Sequence, residues 1–125
     1  MVVVKPRVLV VDDEPLVLQA LRRVLSQSHD VLTELSPVNA LRRFDSGERW
    51  EFVVSDVMMP EMDGVEFVGH LLGKSNGVVS RVVLITGGAL SPEHESWARQ
   101  RSIPVLYKPL DIAVLRNLLA PVTDP

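Results

Sequence analysis

The sequence predicts an α/β fold: one doubly wound, five-stranded parallel sheet with five helices. Two observations predict it. Apolar, β-branched runs without polar alternation occur at Val8–Val11, Phe52–Val54 and Val82–Ile85, the pattern of strands covered on both faces. Segments with apolar residues at helical spacing separate these runs, so that strand and helix alternate five times. Right-handed crossovers then place helices on both sides of an open sheet.

The elements follow in order. After the first strand, Val17, Leu18, Leu21, Val24 and Leu25 form one helical stripe, while Gln19, Arg22 and Arg23 face away. Val31–Leu35 is the second strand. Ser36-Pro37 reads as an N-cap followed by proline at the first helical position, and its helix carries Ala40, Leu41 and Phe44. The third strand, Phe52–Val54, precedes a helix from Gly64 to Leu72 with Val68, Leu71 and Leu72 on one face. The fourth strand is followed by a second Ser-Pro start at Ser91-Pro92 and a helix bearing Trp97 and Ala98. Pro104–Tyr107 is the fifth strand, and Asp111 caps a last helix with Ile112, Leu115, Leu118 and Leu119.

Composition bounds the function. The 125 residues suit one domain, residues 1–125, with no output domain expected in the chain. A hydrophobic fraction of 46% against 23% charged residues is that of a globular protein, and 5% aromatics leave the core to Val, Leu, Ile and Ala. The net charge of −3 gives no electrostatic reason for nucleic-acid binding. Without cysteine there are no disulfides, zinc thiolates or thiol nucleophiles. The opening MVVVKPRVLVVDDE is interrupted by Lys5, Pro6 and Arg7, unlike a signal peptide or membrane span, so a cytoplasmic chain with no membrane partner is expected. The closing PVTDP is too short for a second domain.

In open α/β sheets, ligands gather beyond the carboxyl ends of the strands. Here the first strand runs into Asp12-Asp13-Glu14, the third into Asp56, the fourth into Thr86 and the fifth into Lys108. Each element has an ordinary reading: acidic residues cap helices, aspartate is common in turns, Thr86 precedes Gly87-Gly88, and Lys108-Pro109 ends a strand. Polar groups at four strand ends are harder to explain that way. If the first and third strands are neighbours, Asp12, Asp13 and Asp56 converge, and close carboxylates need a cation to stay ionised. Lys108 supplies one charge, and a hard divalent ion with oxygen ligands suits the rest. With the Thr86 hydroxyl, the set offers a carboxylate nucleophile, a metal site, a fixed positive charge and a donor, the parts that phosphoryl transfer requires.

In combination, VLVVDDE, VVSDVMMPEMDG, VLITGG and VLYKPL resemble the response-regulator receiver family of two-component signalling, over nearly the whole chain. The resemblance implies a flavodoxin-like sheet of order 2-1-3-4-5 and a role for each residue. Asp56 would be the phosphoacceptor. Asp13, Asp56 and the backbone carbonyl of Met58 would ligate Mg2+, with Mn2+ as a substitute, and Asp12 would act through a metal-bound water. Thr86 and Lys108 would bind phosphoryl oxygens, with Gly87 leaving room for the group. Pro60 and Gly64 would shape the loop after the third strand, and Lys108-Pro109 would be a cis peptide. The phosphodonor would be a phosphohistidine on a histidine kinase or histidine phosphotransfer protein, with small phosphodonors as substitutes. The domain would catalyse only its own phosphorylation and dephosphorylation. Its output would be a protein-docking surface around the fourth helix, fifth strand and fifth helix, with homodimerisation on phosphorylation one possible outcome. The ITGG and PVLYKPL segments are similar to receivers of hybrid histidine kinases.

Some positions depart from the family pattern or stand outside it. Three residues before the lysine, where many members carry an aromatic that swings inward, this chain has Val105. Tyr107, beside the lysine, is expected to point to the other face by strand alternation. A relay through Thr86, its loop and packing shifts is expected instead. Met58 and Gly88, which flank the path of water in this family, have side chains that cannot position it. His29, His70 and His94 lack metal-ligand spacing and read as surface histidines. Met58, Met59 and Met62 read as loop lining, and the arginine pairs as solvated helix faces. Trp97 reads either as core or as a partner anchor.

Two other functions compete. A magnesium-dependent phosphohydrolase with an Asp nucleophile would want a second carboxylate two residues on, where Met58 stands. A flavodoxin-like cofactor binder would want a Ser/Thr/Gly-rich loop after the first strand, where Asp12-Asp13-Glu14 would repel phosphate.

Overall fold

The computed structural model describes residues 4–75 and 77–121; the ends of the opening run and of PVTDP lie outside them. Strands and helices alternate as β1 (Arg7–Val11), α1 (Pro15–Leu25), β2 (Asp30–Glu34), α2 (Pro37–Asp45), β3 (Phe52–Asp56), α3 (Gly64–Ser75), β4 (Arg81–Thr86), α4 (Pro92–Gln100), β5 (Val105–Tyr107) and α5 (Ile112–Leu118). The five strands form one sheet in the order β2-β1-β3-β4-β5. Every neighbouring pair is parallel.

Strand alternation splits the core into two layers. Leu9, Val11, Val53, Val82 and Leu84 face one side, where Ala40 and Phe44 of α2, Phe67, Val68 and Leu71 of α3, and Ala98 of α4 cover them. Val8, Val10, Phe52, Val54, Val83 and Ile85 face the other, under Leu18, Leu21 and Leu25 of α1 and Leu115 of α5. The unalternated apolar runs reflect this double coverage.

The expected caps are present. Ser36 Oγ accepts from the Asn39 amide at 3.2 Å, Ser91 Oγ from the His94 amide at 3.1 Å, and Asp111 Oδ1 from those of Ala113 and Val114. Each satisfies helix-start donors that otherwise lack a partner.

Three expectations need correction. Tyr107 lies two residues beyond Val105, so alternation puts both on one side of the sheet. Val105 and Leu106 pack against opposite layers, which sets that phase, and Tyr107 is itself exposed. His29 is not a surface histidine: it is buried, with Nε2 2.7 Å from the Leu119 carbonyl oxygen and Nδ1 2.8 Å from Ser28 Oγ. The methionines do not share one environment either. Met59 is buried in the core with Met62 against it, and of these three loop methionines Met58 is the exposed one.

Candidate functional site

The sheet order makes β1 and β3 direct neighbours, with Val11 opposite Ser55. Asp12 and Asp56 therefore leave adjacent strands at the same rim. Asp12, Asp13 and Asp56 each present a carboxylate oxygen within 4.8 Å of the others, the one such acidic or histidine cluster among the described residues. Asp12 and Asp56 are buried and Asp13 is exposed.

Lys108 reaches this cluster from the end of β5. Its backbone amide donates to the Thr86 carbonyl at 2.8 Å, which extends the β4–β5 pairing by one step and fixes the base of the side chain. Its Nζ lies 3.1 Å from Asp12 Oδ2, 3.1 Å from Glu14 Oε2 and 3.5 Å from Asp56 Oδ2. The Lys108-Pro109 peptide is cis, as the family resemblance implies.

Burial pushes the Asp12 carboxyl up to about 6, and the nearby Asp56 charge adds to the rise. The Glu14 amide, which donates to Asp12 Oδ1 at 2.9 Å, and the Lys108 ammonium only partly offset this. Burial opposes the Lys108 ammonium, but its close contacts with Asp12 and Glu14 and the charges of Asp12 and Asp56 outweigh that, and its pKa stands above the ordinary lysine value.

The donor set fits a divalent cation. Asp12 Oδ2 is buried and receives no hydrogen bond of good geometry; its 3.1 Å contact with Lys108 is an ion pair. One ammonium serves two buried carboxylates, and an oxygen-only set short of positive charge is what magnesium accepts.

The loop after β3 is shaped by close approach. A Cβ on Gly64 would lie 2.2 Å from the carbonyl oxygen of Asp56, so only glycine fits there. The Gly64 amide donates to the Val57 carbonyl at 2.9 Å, and that of Met58 to Asp56 Oδ1 at 3.3 Å. Together these hold the Asp56 carboxylate and its backbone in place. Thr86 is buried, and its hydroxyl donates to the Gly88 carbonyl at 3.1 Å while accepting from the Gly88 amide at 3.3 Å. A Cβ on Gly87 would meet only Lys108 Cδ at 3.9 Å.

Sequence reasoning brought the acidic residues and Lys108 together correctly but gave Glu14 no role at Lys108. Glu14 stands at the N-cap of α1, yet its side chain makes no capping bond; it reaches Lys108 instead. The two residues are 94 apart in sequence, so no local signal could pair them. Ser55 was also missed: it is buried, and its hydroxyl donates to the Asp56 carbonyl at 3.0 Å. Of the histidines, His94 pairs with Asp63 at 3.4 Å, and none joins the acidic cluster.

The family model for the response regulator receiver domain matches residues 8–120. Response regulator Rre1 of Synechocystis sp. is 31% identical over 118 residues, covering 90% of this chain and 51% of that protein. The chain thus spans about half the length of that relative. A 14.6 kDa protein of Leptolyngbya boryana is 30% identical over 112 residues, covering 90% of this chain and 86% of its own. Among solved structures, the chemotaxis protein CheY4 of Vibrio cholerae matches with a TM-score of 0.80 at 27% identity, over 93% of this chain and 97% of that one.

Proposed function

The chain belongs to the response-regulator receiver family of two-component signalling, and from that premise we propose that Asp56 accepts a phosphoryl group from a phosphohistidine. The observation that carries this reading is the setting of Asp56: a buried carboxylate grouped with Asp12 and Asp13 and faced by Lys108 at 3.5 Å.

In the proposed reaction an Asp56 carboxylate oxygen attacks phosphorus and the P–N bond to the donor imidazole breaks. The bonding pair leaves with the imidazole nitrogen, which takes a proton from solvent. Asp13, Asp56 and the Met58 carbonyl would hold Mg2+, or Mn2+ in its place, with Asp12 behind a water. A bound ion supplies charge neutralisation for the phosphoryl oxygens. Lys108 swings from its carboxylates to a phosphoryl oxygen. The Thr86 hydroxyl exchanges the Gly88 carbonyl for another, and Gly87 leaves the space open. Since Thr86 lies opposite Tyr107 across β4 and β5, this exchange reaches the surface formed by α4, β5 and α5, which we read as the docking face.

The partner is a histidine kinase or histidine phosphotransfer protein, and residues 1–125 act as one receiver domain that catalyses only its own phosphorylation and dephosphorylation. No helix among the described residues is long and apolar enough to cross a membrane. The hydrolase alternative has no support at Met58, whose side chain is apolar and exposed.

Intact-protein mass spectrometry after incubation with Mg2+ and acetyl phosphate tests the proposal. One added phosphoryl group is expected, lost with Asp56→Asn or with chelator. Unchanged labelling of the Asp56→Asn protein would refute the assignment.

A further inference from the structure

The Glu14 carboxylate, unlike Asp12, Asp13 and Asp56, has no role in the proposed reaction, yet it reaches Lys108. It hydrogen-bonds Lys108 Nζ at 3.1 Å and is well exposed, with 60% of its side chain accessible. Glutamate is not among the side chains that favour the N-cap, and the Glu14 side chain makes no capping bond, which leaves it free to reach Lys108. Its backbone is held separately, the Glu14 amide donating to Asp12 Oδ1 at 2.9 Å. The main chain is thus fixed to the buried carboxylate while the side chain crosses the mouth of the site to the lysine.

We propose that Glu14 is a specificity-determining residue, which tethers Lys108 over the mouth and biases acceptance away from highly anionic phosphodonors and toward donors with a cationic leaving group. The proposal rests on the phosphoacceptor reading above.

Two physical effects point the same way. An incoming phosphoryl group must take Lys108 from its carboxylates, and Glu14 is the accessible competitor, since Asp12 and Asp56 are buried. The second effect is charge. Asp12, Asp13, Glu14 and Asp56 against Lys108 and one divalent ion leave the mouth one charge negative, and removing the Glu14 charge makes it neutral. Acetyl phosphate approaches as a dianion. Phosphoramidate carries an ammonium-type leaving group that cancels one of its charges, as the imidazole of a phosphohistidine can. The extra carboxylate therefore disfavours acetyl phosphate more strongly. Glu14 contacts neither Asp56 nor the donor's phosphorus, so its role is positioning and charge.

The test compares rates of Asp56 phosphorylation in Mg2+ by acetyl phosphate and by phosphoramidate, in the wild type, Glu14→Gln and Glu14→Asp. For Glu14→Gln the acetyl phosphate rate should rise relative to the phosphoramidate rate by roughly three- to tenfold, the scale of one unit charge acting across a few ångströms of solvated surface. Glu14→Asp should return most of the discrimination, and raised salt should shrink it. A second readout needs no metal: by NMR, the Lys108 ammonium protons should exchange faster with water in Glu14→Gln. Equal changes for both donors, or none, would overturn the proposal, as would ammonium exchange left unchanged in Glu14→Gln. If the wild type accepts phosphoryl from neither donor, the phosphoacceptor reading has itself failed, which is a distinct outcome.

Discussion

The two rims of the sheet carry the same kinds of residue in opposite states. At the amino rim, Arg7 and Asp30 form an ion pair at 3.4 Å, the Arg7 side chain partly and the Asp30 side chain mostly in water, and Glu51 and Arg81 are exposed. At the carboxyl rim, Asp12 and Asp56 are buried beside Lys108. Water screens the first set, so its charges contribute little either way. The second set is held out of water, and Asp12 responds with a pKa near 6. Charge that the fold keeps desolvated is charge available to a ligand.

The largest expected effect at the carboxyl rim comes from its tightest backbone contact. Gly64→Ala sets a methyl against the Asp56 carbonyl oxygen. Because strand and helix must separate to admit it, we expect urea unfolding to show a loss of about 3 kcal/mol or more. A loss under about 0.5 kcal/mol, the scale of an inert surface change, would mean the loop relaxes freely.

The next effect has an unusual sign. The folded Asp12 pKa of about 6 lies above its ordinary 3.8. Its contribution is therefore fully present below pH 3.8 and is lost as pH rises through 6, the reverse of a salt-bridged carboxylate. In metal-free protein, Asp12→Asn should melt higher than wild type at pH 7.5, and the gap should narrow toward pH 4. In Mg2+ the order should compress or invert, because the wild type, with the extra carboxylate charge, holds the ion more tightly. A wild type that is the more stable at pH 7.5 without metal would break the comparison of the rims.

A smaller effect follows from His29, whose imidazole bonds the Leu119 carbonyl at the end of α5. His29→Ala leaves that carbonyl and a cavity unsatisfied, and a destabilisation of about 1–3 kcal/mol by chemical denaturation is expected. The smallest belongs to the amino rim: Arg7→Ala and Asp30→Ala should each change stability by less than about 1 kcal/mol. Neither should alter the response to Mg2+.

These contrasts also explain what was legible in the sequence. The carboxyl rim was readable because Asp12, Asp56, Thr86 and Lys108 each end an apolar run, a local signal. The helix starts at Ser36, Ser91 and Asp111 were readable for the same reason. The order of the strands is not local, and it came through family resemblance. Contacts closed by the fold across long separations were silent: Glu14 with Lys108, and His29 with Leu119, which are 90 residues apart. Tyr107 failed for a simpler reason, since its side follows from its two-residue offset from Val105 rather than from its adjacency to the lysine.

Asp56, and neither neighbouring aspartate, is proposed to bear the phosphoryl group. Borohydride reduction of the phosphorylated protein converts an acyl phosphate to an alcohol, so peptide mapping reads the acceptor directly. Homoserine is expected at position 56 alone. Homoserine at position 12 or 13, or label without any reducible acyl phosphate, would contradict it.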